Sequence, residues 1–335
     1  MSSLFEPDVT KILNCWNLKA EHWQKVKDVY KVKTDQGIKN LKVSPLIPER
    51  LVFVTQAIAH LEKNGFRRFY PLIPCADGRR YVTDQHYAYT LFDWIEGRQC
   101  DIRNSTELLG STRILAEFHQ KTLGFIPPDH SNMRNRLGKC LNHFEERLMD
   151  LQSFKEMAHS MTDDPFAAVF LKNVDYFIPM AMEAIAKLKH SSYPELVQRA
   201  YHSKPFCHGD PAARNFILTP EKEIFLIDFD SCRLDLPIMD LIKFSRRVLK
   251  KYRWQSKTAK RLVDAYQEIN PITAGELEVM KAIFYFPQKF WRVAFRHFHQ
   301  HQHYNWRRDL AKFQKLTQAK DELARFQADF DQYRI

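Results

Sequence analysis

Polar and apolar positions change rhythm along the chain. Val29 to Thr34 (VYKVKT) and Ile38 to Val43 (IKNLKV) are rich in β-branched or alternating residues and flank Asp35, Gln36 and Gly37, which predicts a β-hairpin. From Glu49 to Asn64 apolar residues recur at helical spacing (Val54, Ile58, Leu61), and Gly65 stands where a C-terminal cap belongs. Arg79 to Val82 and Tyr87 to Ile95 read as two further strands, the second running into Glu96 and Gly97. Beyond Gly97 the period turns helical. A helix is expected from the cap-and-N3 pair Asn104 and Glu107 to Gly124, with others over roughly 134–161 and 163–190. A short β interruption follows between Phe206 and Phe229, and helices return from about Leu236 to the C-terminus. The order predicts an α+β protein with a small β-rich part over residues 1–95 and a larger, mainly helical part over 96–335.

Composition narrows what such a chain can do. It has 335 residues but only 9 glycines, where average usage of about 7% would supply roughly 23. No two glycines stand close enough for a GxGxxG or Walker A loop, so both are excluded. The 25 Phe, 13 Tyr and 6 Trp supply bulk for a packed interior. The start, MSSLFEPDVTKIL, lacks a basic region followed by an apolar stretch, and apolar segments such as Leu51 to Ala59 are short, so neither a secretion signal nor membrane insertion is expected. Cys15, Cys75, Cys100, Cys140, Cys207 and Cys232 form no CxxC pair, which suits buried free thiols and synthesis in the cytoplasm. The formal charge of +11 is concentrated in a run from Lys243 to Arg261 that contains no acidic residue. The run is read as a solvated helical face, in preference to a docking surface for an acidic partner.

Candidate chemistry lies in the β interruption, CHGDPAARNFILTPEKEIFLIDFD, from Cys207 to Asp230. Phe216 to Thr219 and Ile224 to Ile227 are expected to pair around Pro220 to Glu223, with Phe216 opposite Ile227 and Asn215 opposite Asp228. Opposed positions lie about 5 Å apart at Cβ, close enough for an amide oxygen and a carboxylate to share one Mg²⁺. Asp210, five residues before Asn215, can face a substrate near the same metal. Phosphoryl transfer needs such a carboxylate to orient the attacking hydroxyl and cations to hold the phosphates.

HGDPAARN followed by LIDFD resembles the catalytic and metal-binding segments of the aminoglycoside and choline kinase-like phosphotransferases, which share the two-lobed protein-kinase fold. GIKNLKV, the Phe53 to Phe66 helix, LFDWIEGRQCD, LAEFHQKTLGF and DFDSCRLDLPIMDL resemble, more narrowly, the spore-coat CotS kinase-like family over nearly the whole chain. The resemblance implies Asp210 as the catalytic carboxylate, with His208 bracing its loop, and Asn215 and Asp228 as Mg²⁺ ligands. It implies Lys42 on the ATP phosphates, Phe92, Asp93, Trp94 and Ile95 as the hinge behind the adenine, and Asp240 as a buried support of the catalytic loop. Transfer of the ATP γ-phosphate to a hydroxyl of an unidentified acceptor is then the expected activity, with the spore coat as location and other coat proteins as partners. The alternative is a kinase-fold coat assembly protein with impaired catalysis. Nucleic-acid binding through the basic run is the third reading, and no base-reading motif accompanies the charge.

Three positions depart from the family pattern. Sixteen residues beyond Lys42 stands Ile58, with only Gln56 and Glu62 nearby, so the usual glutamate partner of the lysine is missing. The expected phosphate-covering segment, Lys25 to Tyr30, has no glycine. Arg214 precedes Asn215, where it can hold phosphate or narrow the acceptor site. Asp230 is expected to be structural or helix-capping, and Asp235 to be the N-cap before Pro237. His297, His299, His301 and His303 are assigned to a helix rather than a metal site, and Phe284, Phe286, Phe290, Trp306 and Phe313 to the core.

Overall fold

The computed structural model describes residues 7–45, 47–129, 131, 134–299 and 306–335. Packing divides the chain into two compact units, residues 1–134 with 204–234 and residues 135–203 with 235–335. This division by compactness groups the HGDPAARN segment with the β-rich residues, whereas the boundary at residue 95 is a division by element type.

The first unit begins with α1 (Val9–Leu13), whose N-cap Asp8 accepts from the Lys11 N–H at 3.0 Å. Strands β1 (Ala20–Val26), β2 (Val29–Thr34) and β3 (Gly37–Pro45) form an antiparallel meander. Helix α2 (Pro48–Lys63) precedes β4 (Val82–Thr83) and β5 (Tyr87–Asp93), giving a sheet ordered β1-β2-β3-β5-β4. β1 was not foreseen, because its side chains are exposed nearly throughout and carry no alternation of apolar residues. The segment expected to cover phosphates, Lys25 to Tyr30, is therefore the tip of the β1–β2 hairpin, with Lys27 in the left-handed region.

Alternation decides what the sheet offers on each face. Tyr30, Val32, Leu41, Tyr89 and Leu91 pack with Val9, Leu13 and Trp16 in one core. Lys42, next along β3 and opposite Thr90, is turned to the other face. In α2 the periodic Val54, Ile58 and Leu61 are buried, and Gly65, at φ +76°, donates to the Glu62 carbonyl at 3.1 Å to end the helix.

β6 (Arg98–Gln99) leads into α3 (Ser105–Lys121), capped by the Asn104 side chain as expected. Glu107 does not close a capping box. Buried, it takes two hydrogen bonds of 2.7 Å from Arg98 and one of 2.8 Å from the Asp101 N–H, which ties β6 to the helix. The unit is completed by β7 (Phe206–Cys207), β8 (Phe216–Leu218), β9 (Ile224–Leu226) and β10 (Arg233–Leu234), in two small sheets ordered β6-β8-β9 and β10-β7. Fully buried Phe118 of α3 holds these pieces together. Its ring lies 5.8 Å from Phe66, 5.7 Å from Phe206, 6.0 Å from Phe229 and 6.1 Å from His208.

The second unit is helical: α4 (Cys140–His159), α5 (Pro165–Lys189), α6 (Tyr193–Ser203), α7 (Pro237–Lys251), α8 (Ser256–Gln267), α9 (Ala274–Tyr285), α10 (Gln288–His299), α11 (Trp306–Gln318) and α12 (Lys320–Asp331). Phe284, Phe286, Phe290 and Phe313 are buried in it, and Asp240 of α7 is fully buried. Leu236, not Asp235, is the N-cap of α7, because Pro237 takes the first helical position and fixes the cap one residue before it. The basic run is not uniformly a solvated face: Lys250, Lys251, Arg253, Lys257 and Arg261 are exposed, but Arg246 and Arg247 are half-buried. His297 and His299 lie on α10. His301 and His303 are outside the described residues. The cysteines are free and, Cys15 apart, buried. No described helix is long and apolar enough to cross a membrane.

Phe118→Ala removes the ring shared by α3, β7 and the loops on either side of them. The expected loss is about 3–5 kcal/mol of unfolding free energy, read from denaturant midpoints of the full chain.

Candidate active site

A three-residue loop sets the register of the β8–β9 hairpin. Lys222 adopts φ +65° and donates to the Thr219 carbonyl at 3.0 Å, while the Thr219 N–H donates to the Glu223 carbonyl at 2.9 Å. Phe216 consequently faces Leu226, not Ile227, and the whole pairing is shifted by one residue from the expected one. The four-residue loop assumed from Pro220 to Glu223 is thus corrected to Pro220, Glu221 and Lys222. Asn215 is opposite Ile227, whose N–H donates to the Asn215 carbonyl at 2.9 Å, and Asp228 is the next residue, left-handed at φ +69°. Asn215 and Asp228 therefore do not oppose each other on paired strands, and the backbone turns at Asp228.

His208, with no exposed surface, bonds through Nε2 to the Ile227 carbonyl at 2.9 Å, and its Nδ1 accepts the Asp210 N–H at 3.3 Å. The imidazole thereby links the Asp210 loop to the end of β9. Buried Asn215 donates through Nδ2 to the Asp210 carbonyl at 2.9 Å, which leaves Oδ1 as the amide atom suited to a cation. Gly209 closes the assembly. At φ +79°, it sits where a Cβ would lie 2.0 Å from the Ser231 carbonyl oxygen, so only glycine permits this approach.

Lys42 reaches the same place from the sheet. Its ammonium lies 2.7 Å from Asp228 Oδ1 and 2.9 Å from Asp230 Oδ1. Burial pushes the Lys42 pKa down, but Asp230 and Asp228 outweigh it and hold the ammonium above its ordinary value. Burial likewise pushes the Asp228 carboxyl up, and Lys42 outweighs that, holding it below its ordinary value. Asp230 is therefore not a cap. It lies in the 3₁₀ turn Phe229–Ser231, off any strand, and serves as the second counter-ion of Lys42. Ile58 of α2 is buried and apolar and offers Lys42 no counter-charge.

Arg50 was not singled out by sequence. From the first turn of α2 its Nη2 donates to the Asp230 and Cys232 carbonyls, each at 2.5 Å, and so fastens the helix to the DFDSC segment. The available signal was weak: a cation in a first helical turn opposes the helix dipole and needs a reason. Arg214 is ion-paired with the Asp210 carboxylate, which answers where it points in this structure.

The expected hinge residues stay together along one segment. Phe92 and Asp93 end β5, the Trp94 N–H donates to the Ile38 carbonyl at 3.0 Å, and Ile95 is half-buried. Lys39 pairs with Asp93 at 2.6 Å, while Lys31 lies 4.6 Å from the Trp94 ring and 2.9 Å from Glu96.

Comparison with known proteins bears on the family and the fold. Residues 10–330 match the family model described as "Spore coat putative kinase YutH". The chain is 28% identical over 271 residues to spore coat protein S of Bacillus subtilis (strain 168), covering 81% of this chain and 77% of that protein. An aminoglycoside phosphotransferase from Alicyclobacillus acidocaldarius superposes with a TM-score of 0.86 at 20% identity, covering 98% of this chain and 96% of the other. Spectinomycin phosphotransferase, solved with ADP and spectinomycin, gives 0.58 at 13% identity over 94% and 97%. The fold is that of the kinase-like phosphotransferases.

Two outcomes test the site. Gly209→Ala should cost several kcal/mol, because a strained φ and a backbone clash coincide, and a loss below about 1 kcal/mol would contradict the close approach. Lys42→Met should cost only about 1 kcal/mol at neutral pH, since both carboxylates keep water. Asp228, held below its unfolded value, stabilises above about pH 4 and loses this as pH falls through its folded pKa. Lys42, held above its unfolded value, stabilises below about pH 10 and loses this as pH rises through its folded pKa. The difference in unfolding midpoint between parent and Lys42→Met should be flat between these limits and shrink outside them.

Proposed function

The chain belongs to the YutH family of spore-coat kinase-like proteins, and from that membership we propose that it is an ATP-dependent phosphotransferase acting on a hydroxyl of an acceptor in the bacterial spore coat. The observation that carries the proposal is the meeting of Lys42 with Asp228 and Asp230, from opposite ends of the sequence, beside the Asp210 and Asn215 loop. A lysine and two carboxylates at this spacing suit a nucleotide phosphate bound with a divalent cation.

Asn215 and Asp228 offer the hard oxygen donors that Mg²⁺ takes, and they are the residues that would hold it. The cation, when bound, neutralises charge on the phosphates. Asp210 would accept the acceptor hydroxyl's hydrogen bond and take its proton as the oxygen attacks the γ-phosphorus, whose bond to the β–γ bridging oxygen breaks to release ADP. That role requires Arg214 to leave the carboxylate, and a phosphate group is the natural new partner for its guanidinium. Phe92, Asp93, Trp94 and Ile95 would border the adenine. Lobes divided near residue 95 would contribute the nucleotide and acceptor sides.

The second reading, a coat assembly protein with impaired catalysis, is favoured by one observation: Asp210 is already neutralised by Arg214. Similarity to spore coat protein S of Bacillus subtilis supports coat association under either reading.

The two are separated by measuring Mg-ATP binding and turnover. The parent should bind, Asp228→Ala should weaken binding, and Asp210→Ala should retain binding while losing about 10²-fold or more in turnover. A parent that neither binds nor hydrolyses nucleotide sinks the enzyme reading. Normal coat assembly with Asp210→Ala in cells would favour the structural one.

A further inference from the structure

Among the described residues, the helical unit gathers more cations around one helix than its own carboxylates pair with. Lys289, Arg292 and Arg296 stand at i, i+3 and i+7 on α10 and share one face, while Phe290, Val293 and Ala294 occupy the buried one. Arg147 of α4 lies over the Trp291 ring at 4.4 Å and donates to Gln288 Oε1 at 2.7 Å. Arg246 of α7 donates through Nη2 to the Ile283 and Phe286 carbonyls at the end of α9, at 2.5 and 3.0 Å, and its Nε is buried without a partner.

Two nearby acids are already committed, and a third, Glu146, acts on Arg147 alone among these cations. Asp309 takes both Arg296 and Lys312 at 2.8 Å, and Asp150 accepts the Trp291 indole N–H at 2.7 Å. Among the described residues Arg292 and Lys289 have no hydrogen-bonded or ion-paired side-chain partner. Burial and the neighbouring Lys250, Arg296, Arg292 and Lys312 push the Lys289 ammonium down to about 8. Burial also lowers Arg246, to about 10, with Arg147 and Arg292 adding to the effect against an opposing contribution from Cys140. Arg292 is exposed, so the cluster is open to solvent.

Like charges held together on rigid helices are costly unless an anion joins them. Guanidinium groups preset by backbone carbonyls and an indole face are the usual means of gripping phosphate. We infer that the face of α10 carrying Lys289, Arg292 and Arg296, with Arg147 and Arg246 beside it, is a binding site for a small polyanion bearing phosphate groups. The half-buried guanidinium groups favour a compact ligand over a long nucleic acid, which would be drawn first to fully exposed charges. The site stands independently of the phosphotransfer reading.

Inorganic tripolyphosphate, titrated calorimetrically into the full chain in EDTA and about 0.15 M KCl, where the Debye length is about 8 Å, tests it. Lys42→Met serves as the background, because it removes the cation at the other candidate phosphate site and leaves two carboxylates there. The expected result is saturable one-to-one binding that survives Lys42→Met and falls at least about tenfold on adding either Arg292→Gln or Lys289→Gln. Without ligand, Arg292→Gln should melt no lower than the parent, since it relieves repulsion. Binding lost with Lys42→Met, binding unchanged in both glutamine variants, non-saturating heats or no heat would each overturn the inference.

Discussion

A lysine on the face of a sheet cannot be withdrawn from water without a counter-charge, and the first unit is arranged around meeting that demand. Lys42 is only 17% exposed, and its neutralising carboxylates come from the turn that follows a hairpin, the nearer of them 186 residues further along. Bringing them there requires the left-handed turn at Asp228, the Gly209 approach to Ser231 and the clasp of Arg50 on the Asp230 and Cys232 carbonyls. The Phe118 cluster lies beneath His208 and Phe229 and keeps these loops in place. Residues that would hold phosphate are therefore also those that neutralise one another when no phosphate is present.

The same logic governs Arg214 and Asp210. A carboxylate suited to accept a proton is paired with a cation suited to hold phosphate, so nucleotide and acceptor would have to exchange partners with the resting ion pairs. Such exchange is inexpensive where the groups keep partial contact with water, and both Asp228 and Asp230 do. In the helical unit the balance differs. Asp309 is shared by two cations while, among the described residues, Arg292 and Lys289 have no acid of their own, which is why that face invites an anion from outside.

Scarcity of glycine bears on both readings of activity. It excludes the glycine-rich phosphate loops, and the tip of the β1–β2 hairpin is built without one. Yet glycine persists where geometry leaves no substitute. At Gly209 a methyl group would collide with backbone, whereas at Gly65 the need is only a left-handed helix end with open space around it.

From sequence alone, the two element regimes, the helices bounded by Asn104 and Gly65, and the set Asp210, Asn215, Asp228 and Lys42 were legible. Periodicity and capping are local, and a motif compresses a site into a few residues. Register, counter-ions and the state of the basic run were not legible. Pairing shifted by one residue because a left-handed Lys222 closed a shorter loop, a backbone choice that no side-chain pattern announces. Asp230 became the partner of Lys42, and Arg246 sank into the helical unit, because burial and ion pairing depend on which distant surfaces meet. The chain's own residues determined what chemistry was possible; only tertiary packing decided which charges satisfy each other and which are left for a ligand.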